Sequence, residues 1–242
     1  MTATPDSPDS STSRSGRRPG TFTDPFADER LAPRAASTTF ANPASLGLAG
    51  FSLANLLLNI INSGFLAESS LPGVLPLALF AGGIAQLIAA AAEFRRGNTF
   101  GLTAFGAYGV FWLSLWAFFT FEQSKFPTPA AANQTLAMFL LCWFIWTVLV
   151  WIASFRVSLV LNLLFLDLMG VFAFQAAGFG FDNTTLIRVG GYLGLALSAI
   201  GFYAALEIIV NETFGKAVVP NLALAPAPES TTKGGERVPD GG

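Results

Sequence analysis

The run LAMFLLCWFIWTVLVWI, residues 136–152, decides the fold class. It contains no charged residue, and its one hydroxyl belongs to Thr147. A stretch of about 20 apolar residues is what a helix needs to cross the hydrocarbon core of a bilayer. There the backbone must satisfy its own N–H and C=O groups, so a single spanning segment is helical. Five further apolar segments of similar length lie outward from this one, at 46–65, 71–92 and 102–121 before it and at 158–178 and 186–210 after it. Short connections join them. Strands of a membrane barrel would be about half as long and would alternate in polarity, and these segments do not. The sequence therefore predicts an all-α protein, a bundle of six transmembrane helices.

The flanks differ in kind. Residues 1–40 are rich in Ser, Thr, Pro, Asp and Arg without apolar periodicity, and 217–242 are rich in Pro, Gly and Ala. Both read as disordered tails around a membrane domain over 41–216. Arg17-Arg18 does not begin an export signal, because the apolar run starts too far downstream, near Leu46.

Composition supports this frame and narrows the chemistry. Of 242 residues, 52% are hydrophobic and 12% charged, against about 25% charged in a soluble domain. The formal net charge of −2 gives no reason to expect a nucleic-acid partner. The chain has no His and a single Cys, Cys142. That removes imidazole catalysis, His-based metal sites and intrachain disulfides. No cofactor, no metal and no enzymatic activity are expected.

Lys and Arg set the expected orientation. The two tails and the second and fourth loops together carry Arg14, Arg17, Arg18, Arg30, Arg34, Arg95, Arg96, Arg156, Lys216, Lys233 and Arg237. The opposite side carries Lys125 and Arg188. Both termini are thus expected in the cytoplasm, with the protein in the plasma (inner) membrane and lipid around it.

The small and polar residues are patterned. Asn42-Pro43 suits a helix start, with Asn42 as cap and Pro43 as first helical residue. The positive end of that helix dipole also suits a small anion. Gly47 and Gly50 then leave room beside the backbone. Asn55, Asn59 and Asn62 share one helix face, as interhelical glue or as a pore lining. Gly190, Gly194 and Ser198 form a small-residue stripe for close helix packing, within a protomer or between protomers. Gln86 and Glu93 share a face two turns apart, and Glu93 adjoins Arg95 and Arg96 as an ion pair or a proton relay. Asn98 or Thr99 caps the third helix; Thr103 and Tyr108 follow it into the bilayer. Asp167 falls near the middle of the fifth segment, where an ionisable group is costly and marks a functional or paired site. Glu207 approaches the interface, where a structural role is expected.

Several motifs together resemble a known family. They are GGIAQ at 82–86, EFRRGNTFGLTAF at 93–105, Tyr108-Gly109 and Phe111-Trp112, with Asn42-Pro43-Ala44-Ser45-Leu46-Gly47-Leu48 before them. Asn211-Glu212, Phe214-Gly215-Lys216 and Pro220 follow them. This combination, over about residues 41–220, closely resembles the acetate uptake transporter family, which includes bacterial succinate–acetate permeases. The resemblance implies a six-helix protomer assembled as a homohexamer, each protomer with its own pathway for acetate and, in some members, succinate. It implies Phe51 and Tyr108 as aromatic members of a mid-membrane constriction. Phe165, with Leu164 as an option, is the third member, at a place where the family usually has Leu. Two positions depart from the family pattern: Ser45 stands at the signature's second Pro, and Ile61 where many bacterial members have His.

The expected pathway for acetate and related small carboxylates therefore comprises Asn42, Pro43, Phe51, Gln86, Thr103, Tyr108 and Phe165. Glu93 and Asp167 are the candidates for proton relay or structural pairing. Symport with a proton and an anion channel are both consistent with these residues. The competing readings are a channel for another small solute, formate or ammonium, and an oligomeric membrane protein that transports nothing. A water channel is disfavoured, since Asn42-Pro43-Ala44 has no second copy.

Overall fold

The computed structural model describes residues 41–220, 222 and 224. The expectation for 1–40, and that for most of 217–242, falls outside the described residues. The six expected spans are present as α1 (Ala44–Asn62), α2 (Glu68–Arg96), α3 (Thr99–Lys125), α4 (Pro129–Ser154), α5 (Leu159–Gly180) and α6 (Thr184–Phe214). All six are long and apolar enough to cross a membrane.

The boundaries follow the capping chemistry. Asn98 Oδ1 accepts the Gly101 N–H at 3.1 Å and starts α3, so Asn98 rather than Thr99 is the cap. Thr128, followed by Pro129, starts α4, and Ser158 and Asn183 cap α5 and α6 through their side-chain oxygens. At α1, Asn42 Oδ1 accepts the Ala44 N–H at 3.1 Å, and Pro43 already has helical angles. The Ser45 hydroxyl, standing at the missing proline, donates to the Asn42 carbonyl at 3.1 Å.

Neighbouring helices in sequence are neighbours in space, and α6 returns against α1, so the six form a closed ring. Five of the six seams are close. The α3/α4 seam is held at longer range by side chains: Phe111 meets Phe139 and Trp143 at 5.6 and 5.3 Å between ring centroids, and Tyr108 meets Trp143 at 6.1 Å. Bulky rings keep these two axes apart, where glycines let α1 approach α2 and α6 closely.

The small residues explain the close seams. A Cβ on Gly50 would strike the Ala81 carbonyl, in a π-helical stretch of α2, Ala78–Ala85, on which α1 rests. A Cβ on Gly194 would collide with the side-chain amide of Asn59, and one on Gly191 with the backbone at Ser63. Of the stripe on α6, Gly194 and Ser198 therefore pack against α1 of the same chain, and Gly190 against Gln175 of α5.

Three buried amides tie this side of the ring together. Asn55 Nδ2 donates to the Gly194 carbonyl and the Ser198 hydroxyl, both at 2.7 Å. Asn59 Nδ2 donates to Asn55 Oδ1 at 2.8 Å, and Asn59 Oδ1 accepts from Gln175 Nε2 at 2.8 Å. Helices α1, α5 and α6 are thus joined by a continuous buried network, with Asn59 at its centre.

Candidate functional site: two cavities and an aromatic constriction

Two cavities lie inside the ring. The larger, about 360 Å³, opens toward the Asn42 end of α1. Its polar wall includes Asn42, Gln86, Glu93, Arg96 and Asn98. The smaller, about 70 Å³, lies toward the other end of α1; its polar lining is Asn55, Asn59, Asn62, Glu68, Gln123, Asn133 and Gln175, among apolar side chains. Phe51 and Leu168 belong to both walls, so they mark the partition.

Aromatic contacts build that partition. Phe51 meets Tyr108 edge-to-face at 6.4 Å, and Tyr108 stacks on Phe165 at 5.9 Å with 26° between ring planes. Phe51, Tyr108, Phe165 and Leu168 are all at most 6% exposed. The Tyr108 hydroxyl lies 2.9 Å from Thr147 Oγ1 on α4. Thr147 donates its only hydroxyl hydrogen to the Trp143 carbonyl at 2.7 Å, so Tyr108 is the donor in that pair. This bond fixes the tyrosine ring across the α3/α4 seam.

Charge in the larger cavity is concentrated near its mouth. Glu93 is 1% exposed, and its Oε2 accepts from Asn98 Nδ2 at 2.9 Å. Arg96 Nε lies 3.9 Å from the same oxygen, and Arg96 Nη1 donates to the Ala41 carbonyl at 3.0 Å. The guanidinium therefore links the start of α1 to the end of α2. Gln86, also 1% exposed, donates from Nε2 to the Gly82 carbonyl at 2.7 Å, one turn earlier.

The expected pathway residues separate into two groups. Asn42, Phe51, Gln86, Glu93, Tyr108 and Phe165 converge on the larger cavity, and Leu164 joins them. Thr103, Pro43 and Asp167 do not. Thr103 is exposed and opens onto a shallow apolar groove between α3 and α4, beside Trp146 and Leu149. The helical period explains this: Ala104 lies about 40° from Tyr108 around the helix and Thr103 about 140°. Pro43 stands behind the wall that its neighbours Asn42 and Ala44 form. Asp167 lies between the lining residues Leu164 and Leu168 in sequence yet lines neither cavity, and its buried Oδ2 has no hydrogen-bond partner among the described residues.

A sequence profile of the GPR1/FUN34/yaaH family matches residues 26–225. The chain belongs to the GPR1/FUN34/yaaH family. The succinate-acetate/proton symporter SatP of Escherichia coli (strain K12) is 38% identical over 184 residues, which span 76% of this chain and 96% of that protein. Acetate permease A of Emericella nidulans is 34% identical over 195 residues, 75% of this chain and 65% of that one. Among solved structures, that of the bacterial acetate channel SatP superposes with a TM-score of 0.69 at 38% identity, covering 75% of this chain and 99% of that chain. The kinship expected from the motifs is borne out, and these GPR1/FUN34/yaaH relatives bear the names of transport proteins, not of enzymes. With six spanning helices, the chain is an integral membrane protein.

Some lining residues of this GPR1/FUN34/yaaH protein escape a reading of the sequence. Leu168, shared by both cavities, carries no chemical signal, and only its place one turn after Phe165 points to it. Asn98 and Arg96 stand out as a cap and a topogenic charge, which hides their place in the cavity wall. Tyr203 and Glu207 reach the same wall from α6.

Proposed function

We propose that this protein carries acetate, with succinate and related small carboxylates as further substrates, through a pathway inside its own helix ring. The observation that supports this most directly is the pair of polar-walled cavities in line, separated by the Phe51–Tyr108–Phe165 partition. An anion entering at the Asn42 end meets the Arg96 guanidinium and the amides of Asn98 and Gln86. It meets no unscreened carboxylate at Glu93, because Arg96 and Asn98 hold that group. Asn42 directs one helix-start N–H, that of Ala44, to its own oxygen.

At the partition the solute must shed water. A methyl group is compatible with a Phe/Tyr/Phe throat, whereas a hydrated inorganic ion is rejected, as in apolar constrictions that gate by dewetting. Beyond it, Asn55, Asn59, Asn62 and Gln175 offer hydrogen-bonding groups to rehydrate the carboxylate. Glu93, the carboxylate buried in the wall of the larger cavity, is the candidate for a proton step, with Glu207 on the same wall and Glu68 bordering the smaller cavity; Asp167 lies off both cavities. A homohexamer with one pathway per protomer and both termini in the cytoplasm completes the reading. It is supported by the kinship and by the Lys/Arg asymmetry.

Uptake of labelled acetate into proteoliposomes, with and without an inward proton gradient, tests the reading. The control protein is the Phe51→Ala, Tyr108→Ala double variant. Uptake above the passive leak of acetic acid that follows the gradient assigns symport. Protein-dependent uptake indifferent to the gradient assigns an anion channel. No protein-dependent acetate uptake, with formate or ammonia carried instead, overturns the proposed substrate.

A further inference from the structure

The Asn211–Pro220 motif plays no part in the constriction, yet it builds one wall of the larger cavity. Helix α6 ends at Gly215, whose φ of 63° lies in the left-handed region that glycine enters without steric penalty. The chain then folds back along the end of α6. Asn211 Oδ1 accepts the N–H groups of Val218 at 2.7 Å and Val219 at 2.9 Å. Its Nδ2 donates to the Val219 carbonyl at 2.9 Å and to Glu207 Oε1 at 2.8 Å. One side chain thereby uses its whole hydrogen-bonding capacity, three bonds of it on the returning segment.

The segment continues across the mouth. The Tyr203 hydroxyl donates to the Pro220 carbonyl at 2.9 Å. The Leu159 N–H, at the start of α5, donates to the Leu222 carbonyl at 2.8 Å, and the Leu224 N–H donates to the Val157 carbonyl at 3.3 Å. Pro220 and Leu222 line the cavity beside Tyr203, Val157 and Ser158. The segment therefore bridges the end of α6 and the start of α5. It is held by polar bonds rather than by a core, since Val218 is 49% and Leu222 and Leu224 are each 44% exposed. Such sparsely buried elements occupy the low-stability end of a structure and open first. Within residues 217–220 the backbone is held by Asn211, which captures two N–H groups and a carbonyl there.

We infer that residues 215–220, with Leu222 and Leu224, form a strap over the mouth of the larger cavity, latched by the Asn211 side chain, and that its closure limits the size of the carboxylate that enters. The flux part of this inference rests on the proposed transport of carboxylates; the closure itself does not.

The test places a reporter in the cavity. In a Cys142→Ser background, Ala204→Cys puts a thiol on the cavity wall, where Ala204 is 7% exposed. The rate of its modification by a charged maleimide is read on the purified full-length protein in detergent. Adding Asn211→Ala is expected to speed labelling about tenfold, equivalent to about 1.4 kcal/mol of lost closure. Asn211→Asp turns the donor position into a carboxylate oxygen facing Glu207 Oε1 and the Val219 carbonyl, so it too is expected to speed labelling. Tyr203→Phe, which deletes one hydroxyl at an exposed site, is the second variant should Asn211→Ala fail to fold, and it too accelerates labelling. Labelling rates that match the parent in both Asn211→Ala and Tyr203→Phe overturn the strap. Succinate and acetate uptake are then compared in proteoliposomes, with a rise in the succinate-to-acetate ratio expected for Asn211→Ala. An unchanged ratio, in protein that still carries acetate, overturns the size limit. Faster labelling in a protein that carries no acetate at all supports the strap while removing the proposed transport.

Discussion

Replacing Phe165 by Leu, the residue that the family resemblance implies at this place, tests the throat directly. Phe165 is 4% exposed and makes two ring contacts, stacked on Tyr108 at 5.9 Å and edge-on to Phe100 at 5.9 Å. A solute wider than the gap must swing this ring aside and break both contacts. Each aromatic pair contributes about 0.5–1.5 kcal/mol beyond its buried area, so together they add about 1–3 kcal/mol to the barrier. Leu keeps part of the packing, which leaves about 1 kcal/mol of barrier to be lost, or about a fivefold gain in rate. Succinate, the longer substrate, should show that gain in proteoliposome uptake. Acetate should change less, because it displaces the ring less. The assay is the ratio of labelled succinate to labelled acetate flux at equal protein density. If succinate flux stays level, or falls in step with acetate while the protein remains intact, Phe165 is not the size-limiting group.

Two further outcomes follow from the packing and the charge. Gly194→Ala drives a methyl group into the Asn59 amide. Overpacking of about 1–3 kcal/mol should lower the Tm of the detergent-solubilised protein by roughly 3–10 °C, and an unchanged Tm would show that α6 can shift without disturbing the amide network. Arg96→Ala removes the guanidinium at the cavity mouth, whose side chain is 32% exposed. For so exposed a charge, worth about 0.2–1 kcal/mol, half-saturating acetate should rise about 1.5- to 5-fold. High salt should erase that difference, and a difference that persists in high salt would show that Arg96 acts through the backbone of Ala41 rather than through charge.

The six spans are readable because lipid leaves the backbone one choice, and uncharged runs such as 136–152 declare it. The helix ends follow where a cap stands, as at Asn98 and Asn183. The faces are harder. Thr103 and Tyr108 look equally fit for a pathway in one dimension, and only the helical phase, fixed by which side of α3 packs on α2, sends Thr103 outward. The asparagine stripe leaves its role open in the sequence, because a polar face on a membrane helix suits glue and lining alike. In the fold it serves both: Asn55 and Asn59 bond α6 and α5 while bordering the smaller cavity. Leu168 is invisible beforehand, since a leucine in an apolar helix carries no mark of a partition. The strap is hidden for a different reason. Its composition is that of a linker, and its bonds come chiefly from one asparagine in the last turn of α6.

The amide network joining α1, α5 and α6 has a mechanical consequence. Moving α1, α5 and α6 relative to one another would break buried bonds at Asn55, Asn59 and Gln175, and each orphaned amide costs about 1–3 kcal/mol. Turning a phenyl ring about its own side-chain bonds breaks none of them. The molecule thus behaves as a stiff barrel with a soft throat: its cheapest opening is a rotamer change, which belongs to a faster class of motion than the microsecond-to-millisecond displacement of whole helices. Turnover governed in this way should respond to the crowding of rings around Tyr108 and be insensitive to cross-links between α1 and α6.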